Sequence, residues 1–343
     1  QATAGGALEQ ARLPGAVPTY AEHLKRAGWQ TAGFTGGAGV YGPYGFARGF
    51  DVWADDVEFG GLSRRVPEAL AWLDGRGDAP FLLFVHGYDV HGQHELDAAD
   101  RARLRPDGVT HDGSAAAHEA LREATLQDGP AAMSGLGGAL PAGTVDYISA
   151  LYDAKAARAD AQVGALLDGL AARGLSDRVV VAVYADHGEE LFDHGGFDHG
   201  LTLLQEQVHV PLVVRWPGGP RGQRVEAPVS TLDLFPTVLA RVDGAPPPLA
   251  DGRDLVDGPP AAVFAETDYR LLTRRRMIRR GDDKLVLDLE SGEATLYDLA
   301  RDPEERAPVE DKRLAYELEQ ALRAHLQAQD RARPAANPFA LPP

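Results

Sequence analysis

The stretch from Val179 to His199 constrains this chain more than any other. It reads Val-Val-Val-Ala-Val-Tyr-Ala-Asp-His-Gly-Glu-Glu-Leu-Phe-Asp-His-Gly-Gly-Phe-Asp-His. Val179 to Tyr184 has the length and β-branched content of a strand buried on both faces, and it stops at polar, Gly-rich sequence. Asp186 and His187 are thereby expected where a parallel strand ends, the edge at which open α/β sheets bind ligands. An adjacent carboxylate and imidazole can ligate one cation from a single turn; an ordinary polar loop is the alternative. A second continuous apolar strand, Phe81 to His86, ends at Gly87-Tyr88-Asp89-Val90-His91-Gly92. Two strands ending in His-bearing loops set His91 apart from a solvated loop histidine.

The rest of the chain supplies an α-then-β rhythm, as in a doubly wound sheet. Thr19 is placed to cap a helix over Tyr20 to Gly28, followed by a strand from Trp29 to Thr35. Val66, Leu70 and Leu73 share one face of a helix from Arg64 to Leu73. Val145 to Arg173 is a long helix closed by Gly174, feeding the strand at Val179. Beyond the Asp-His loop, a short helix is expected over Thr202 to Val208 and a strand over Leu212 to Arg215. Asp233 reads as a helix cap, because Pro236 suits the first turn of a helix.

Residues 1–243 are read as one α/β domain carrying a lid-like insertion at 95–143, where Ala, Gly, Asp and Arg show weak periodicity. A surface insertion without a role fits that stretch equally, and His94, His111 and His118 within it are not singled out. A Pro- and Gly-rich linker, 244–260, leads to a C-terminal subdomain, 261–343, with four short strands and a helix from about Asp311 to Gln329. Arg274, Arg275, Arg276, Arg279 and Arg280 cluster there; paired charges on an exposed sheet account for them more simply than an anion site.

A formal charge of −17 argues against a nucleic-acid surface, which needs clustered Lys and Arg. An anionic substrate would be repelled at long range, so an anion site must be locally positive through a metal, His or Arg. No apolar run approaches the ~18 residues of a membrane span. With no cysteine in the chain, disulfides and thiolate metal sites are excluded.

Asp186-His187-Gly188-Glu189, then His199, Glu206 and Val210-Pro211-Leu212 resemble, in order and spacing, the metal loop of the sulfatases, a branch of the alkaline phosphatase superfamily. Ala27-Gly28-Trp29-Gln30-Thr31-Ala32, Gly45 to Asp51, Ser230 to Leu239, Lys284 to Asp288 and Leu296 to Glu305 are similar to further sulfatase segments. The likeness runs from about Leu13 to Asp302. It implies an alkaline-phosphatase-like, mostly parallel sheet sandwiched by helices, with a small C-terminal α+β subdomain. It also implies a metal-dependent sulfuric ester hydrolase: Asp186 and His187 on one divalent ion, calcium before manganese or zinc, with His91 and His199 holding the sulfate. His199, where the family often has Lys, would also protonate the leaving alkoxide. The implied substrate is a small-molecule or glycan sulfate ester. Sulfatases of this kind are often exported, which suggests the periplasm or the cell exterior.

Sulfatases also carry a first strand with two metal-binding aspartates and a Cys/Ser-x-Pro-x-Arg motif whose Cys or Ser becomes formylglycine, the nucleophile. That motif has no match here, and Gly33 to Gly39 offers neither the Lys nor the His of a Gly-Lys-Trp-His segment. The expectation is therefore an N-terminally truncated sulfatase whose first strand is missing, inactive alone unless a further segment or chain completes the sheet. A phosphodiesterase or phosphonate monoester hydrolase of the same superfamily, and a non-catalytic sulfatase-like binding protein, are the alternatives.

Overall fold

The computed structural model of the chain describes residues 12–15, 17–92, 94–126, 140–242, 252–269 and 273–332. Helix α1 (Tyr20–Arg26) starts from a capping box: the Thr19 hydroxyl accepts from the Glu22 amide, and the Glu22 carboxylate accepts from the Thr19 amide. It leads into β1 (Gln30–Phe34), the middle of a parallel three-stranded sheet flanked by β2 (Val52–Ala54) and β3 (Phe81–Val85). Gly33 of β1 has no room for a side chain, since a Cβ would meet the Trp53 ring at 2.3 Å. Helix α2 (Leu62–Gly75) buries Val66, Ala69 and Leu73, with Ala69 packed on Ala32 and Phe34.

The lid-like stretch contributes α3 (Ala98–Leu104) and α4, residues 115–126; residues 127–139 of it lie outside the described residues. Helix α5 (Thr144–Ala172) precedes β4 (Val181–Tyr184), whose partner among the described residues is the antiparallel β7 (Leu212–Arg215). Between them the Asp-His loop folds into a short hairpin, β5 (Glu190–Leu191) with β6 (Phe197–Asp198), and a single helical turn, α6 (Gln205–Val208). The hairpin was not expected from the sequence, because two-residue strands leave no periodicity to read.

Asp233, as expected, serves as a cap: with Ser230 it forms the capping box of a 3₁₀ turn (Thr231–Asp233) that runs directly into helix α7 (Leu234–Val242). Residues 244–251 of the expected linker lie outside the described residues. Beyond it, β8 (Val263–Thr267), β9 (Arg275–Arg280), β10 (Asp283–Asp288) and β11 (Ala294–Asp298) form an antiparallel sheet in the order β11-β10-β9-β8. Helix α8 (Lys312–Ala332) lays Leu318 and Leu322 on Ile278, Leu285, Leu287 and Leu296. Fully burying one such side chain contributes about 1.5–3 kcal/mol. The arginine cluster is paired: Arg276 with Glu266 and Asp268, Arg275 with Asp288, Arg279 with Asp282 and Arg280 with Glu317.

One expectation is corrected. Val179 to Tyr184 and Phe81 to Val85 have the composition of fully buried strands, yet every residue of β3 and β4 is only half-buried. Both strands line a cavity of about 1170 Å³, also walled by Leu166 and Leu170 of α5 and Leu234 and Val238 of α7. β3 is hydrogen-bonded to β1 and β4 to β7, so each keeps one edge without a strand partner among the described residues. A β-strand is the element that satisfies two facing backbone edges while filling an apolar slot.

Candidate active site

His91 is reached from the end of β3. The Asp89 carboxylate, buried, accepts from the Leu62 amide at 2.8 Å and so ties the loop to the start of α2. The His91 carbonyl accepts from the buried Lys155 ammonium of α5 at 3.2 Å. Burial pushes the Lys155 amine down to about 8 and the His91 imidazole down to about 4, so His91 is neutral at physiological pH. Its ring Nδ1 is buried without a hydrogen-bond partner among the described residues.

His187 leaves β4 through a tight turn. Its Nδ1 lies 2.9 Å from the Gly188 carbonyl, and the Gly188 amide donates to the Gln207 carbonyl at 2.8 Å. A side chain at Gly188 would meet the Glu206 carbonyl at 2.0 Å, so this approach requires glycine. Asp186 is largely exposed at the mouth of the loop, its Oδ1 3.9 Å from His187 Nε2.

His199 is held more firmly. Its Nδ1 lies 2.8 Å from Asp198 Oδ1 and 3.1 Å from Glu189 Oε2, and both carboxylates are buried. Burial alone would lower the His199 pKa, but these two partners outweigh it and push it up to about 10. The imidazole is therefore a cation at neutral pH with Nδ1 occupied and Nε2 left for a ligand. Asp198 takes a left-handed backbone (φ 75°), sparsely populated for any residue but glycine, in which its own Oδ1 accepts the His199 amide at 2.7 Å. Its other oxygen, Oδ2, lies 3.0 Å from Nε2 of His118 on α4. Burial raises the Asp198 carboxyl, yet the His118 and His199 rings carry it well below the ordinary carboxylate range.

The C-terminal sheet braces the next part of the loop. Thr267 donates to the Gly200 carbonyl, Arg275 to the Leu201 carbonyl, and Glu305 accepts the Gln205 amide at 2.6 Å. Glu305 is itself paired with Lys284 at 2.6 Å, both side chains fully buried. Glu190, also buried, collects the amides of His194 and Gly196 and the Gln207 side chain.

The sequence-derived site residues come together. The rings of His187 and His199 stack with centroids 3.8 Å apart, and His91 stands 5.1 Å from His199 and 6.1 Å from His187. All three, with Asp186 and Glu189, line the polar end of the cavity between β3 and β4. Sequence reasoning missed Glu189 and Asp198 as partners of His199, and His118 as the partner of Asp198. The adjacency of Asp198 to His199 was a usable signal; the reach of His118 across 80 positions was not.

Calcium takes about 6 to 8 oxygens, and Asp186 with His187 supplies one carboxylate and one imidazole. The described residues therefore do not by themselves fit a calcium shell. The donor groupings they do form are His91, His187 and His199; Glu189, Asp198 and His199; and Glu190, His194 and Glu206.

A family model described as Sulfatase matches residues 5–245. Mouse arylsulfatase K is 28% identical over 199 residues, covering 52% of this chain and 36% of that protein. The chain spans less than half the length of the curated relatives it matches. Among solved structures, the phosphonate monoester hydrolase of Agrobacterium radiobacter superposes with a TM-score of 0.71 at 22% identity, over 94% of this chain and 82% of that one. A structure in complex with its substrate D-glucosamine-2-N,6-O-disulfate superposes with a TM-score of 0.67 at 18% identity, over 94% and 83%. At such identities the superpositions establish a shared fold. Among the described residues no helix is long and apolar enough to cross a membrane.

Proposed function

The chain belongs to the sulfatase family, and from that premise we propose that its three-histidine site is the anion-binding half of a sulfuric ester hydrolase. The observation that carries this reading is the convergence of His91 and His199 at the polar end of the β3–β4 cavity, with Asp198 and Glu189 behind His199. On an acidic chain, a buried cationic imidazole is the local positive charge that a sulfate ester needs. Nε2 of His199 donates to a sulfate oxygen and then passes its proton to the leaving alkoxide, while neutral His91 donates a further hydrogen bond. Asp198 and Glu189 keep Nδ1 protonated and the ring oriented throughout.

The β3–β4 slot supports the reading that a further strand completes the sheet. On this proposal that strand carries the nucleophile, a formylglycine by family likeness, together with carboxylates that add to Asp186 and His187 around a divalent ion. Held there by Asp186, His187 and those carboxylates, a divalent ion would supply Lewis acidity toward the ester and the nucleophile. Residues 261–343 are proposed as a subdomain that props the His199 loop through Thr267, Arg275 and Glu305. Glycan sulfates are the proposed substrate class, by likeness to the neighbour captured with a disulfated glucosamine.

The phosphonate hydrolase neighbour makes phosphoester hydrolysis the competing reading. The test is to assay the whole gene product against an aryl sulfate, a phosphodiester and a phosphonate monoester, beside His199→Ala and His91→Ala. Sulfate hydrolysis that falls about 10²–10⁴-fold in His199→Ala supports the proposal. A preference for the phosphodiester or phosphonate overturns it.

A further inference from the structure

We propose that His91, His187 and His199 form a binding site for a borderline-soft divalent cation, Zn²⁺ in particular. The ion would take His91 and His199 from the proposed sulfate and His187 from the proposed divalent ion, so zinc would act as an inhibitor. This rests on the same three-histidine site as the proposed function, but on a different property of it.

The donor geometry comes first. One ligand atom from each ring lies within 4.8 Å of the other two. A tetrahedral zinc ion bonds nitrogen at about 2.0–2.1 Å and so holds three nitrogens about 3.3 Å apart. Closing the shell therefore asks the three nitrogens to draw together and the stacked His187 and His199 rings, whose planes lie 24° apart, to turn toward one point. Three imidazoles with a fourth position open to water or substrate is a donor set that zinc accepts and a hard, oxygen-seeking cation such as calcium does not.

The surroundings fit ligation as well. Metal-bound histidines generally have their other ring nitrogen held by a carboxylate or a backbone carbonyl, which fixes the tautomer and strengthens the ligand. His187 has that arrangement, Nδ1 on the Gly188 carbonyl at 2.9 Å. His199 has it twice over, Nδ1 on Asp198 and Glu189. Both rings thereby keep Nε2 for a ligand. His91 brings an independent observation: a buried Nδ1 with no hydrogen-bond partner among the described residues, a desolvated acceptor or donor that a ligand would satisfy. Zinc binding at His199 displaces the Nε2 proton to solvent, so the ion and the proton-donating role of that ring exclude each other. Occupancy by zinc therefore removes both an anion contact and the leaving-group proton donor.

The test uses the intact chain without substrate. Isothermal titration with Zn²⁺ is expected to give one tight site per chain that an excess of Ca²⁺ does not displace. Co²⁺ at the same site is expected to give the intense visible absorption of a tetrahedral ion. His91→Ala, His187→Ala and His199→Ala should each abolish the tetrahedral spectrum, and Glu189→Gln should weaken Zn²⁺ about 10–100-fold while leaving the spectrum tetrahedral. His209→Ala, outside the cluster, should change nothing. Retention of the tight site in the variant lacking all three imidazoles, or equal competition by Ca²⁺, overturns the inference. Sulfate hydrolysis by a chain with no such zinc site overturns the zinc inference alone; a zinc site in a gene product that hydrolyses no sulfate ester overturns the sulfatase reading alone.

Discussion

His118 and Asp198 are joined by a contact of 3.0 Å between Nε2 and Oδ2, across 80 positions of chain. The contact ties α4, in the lid-like stretch, to the carboxylate whose other oxygen holds His199. The same helix sends Arg122 to the Tyr269 hydroxyl at 3.1 Å, so α4 is also tied to the stretch that follows β8. Asp198→Asn keeps the shape but removes one of the two charges that hold His199 as a cation. If His199 is the proton donor, turnover should fall by about 10²-fold with a smaller change in KM. The alkaline limb of the kcat profile should also move to lower pH, because less negative charge faces the ring. His118→Gln, which leaves the Asp198–His199 pair in place, should retain most of that turnover. Equal losses in the two variants would show that Asp198 matters only as an anchor for α4.

The Lys284–Glu305 pair tests how the C-terminal sheet supports the loop. Both side chains are fully buried and 2.6 Å apart, and Glu305 also accepts the Gln205 amide. Removing one partner leaves an uncompensated buried charge, so Glu305→Ala should cost about 3–5 kcal/mol in urea unfolding. The double variant Lys284→Met with Glu305→Leu should recover most of that stability, since no charge is left buried. It should not recover the order of the Gln205 amide, whose acceptor is gone; hydrogen exchange at Gln205 reads this directly.

How much of this was legible in the sequence depends on the range of the interaction. The runs Val179 to Tyr184 and Phe81 to His86 announce themselves as strands because a continuous apolar run is a local signal, and the loops that follow them inherit their place at the sheet edge. His91, His187 and His199 could be grouped on that ground, with the order and spacing of the sulfatase loop in support. The short hairpin of Glu190 with Asp198 and the antiparallel pairing of β4 with β7 were not legible, because pairing direction is set by the path of intervening chain and not by composition. His118 was passed over for a related reason: α4 has little periodicity of its own, and its contact with Asp198 exists only after α4 packs over the loop. The half-burial of β3 and β4 is the sharpest mismatch, since a run of β-branched residues encodes burial without encoding which neighbour supplies it.

His194 supplies a pH dependence away from the three imidazoles. Its Nδ1 lies 2.8 Å from Glu206. Burial alone would lower its pKa, but the hydrogen bond to Glu206 and the charges of Glu206 and Glu190 raise it above the ordinary value. For a group whose folded pKa is raised, the stabilisation is fully present below the unfolded pKa of about 6.5 and is lost as pH rises through the folded value. Urea midpoints of the native chain minus those of His194→Gln should therefore be larger at about pH 6 than at about pH 9. A difference that is flat or grows with pH would show that Glu206 does not hold the protonated ring.

The slot between β3 and β4 makes a prediction at the level of single amides. The His86 amide donates to the Phe34 carbonyl of β1 at 2.9 Å. Amide direction alternates along a strand, so Leu82 and Phe84 also turn their N–H groups toward β1, and Leu83 and Val85 turn theirs toward the cavity. With no strand partner at that edge among the described residues, Leu83 and Val85 should exchange with solvent deuterium at least about tenfold faster than Leu82 and Phe84, although all four lie in one strand. A peptide of apolar, β-branched residues long enough to pair with both edges should slow Leu83 and Val85 selectively, because it offers carbonyls to those amides and leaves the β1 side unchanged. Replacing Leu166 of α5 by Glu puts a charge into the wall of the slot and should abolish that protection without altering exchange at Leu82 and Phe84. Uniform protection across the four amides in the peptide-free chain would mean that the two edges are already satisfied, and the case for an inserted strand would fall with it.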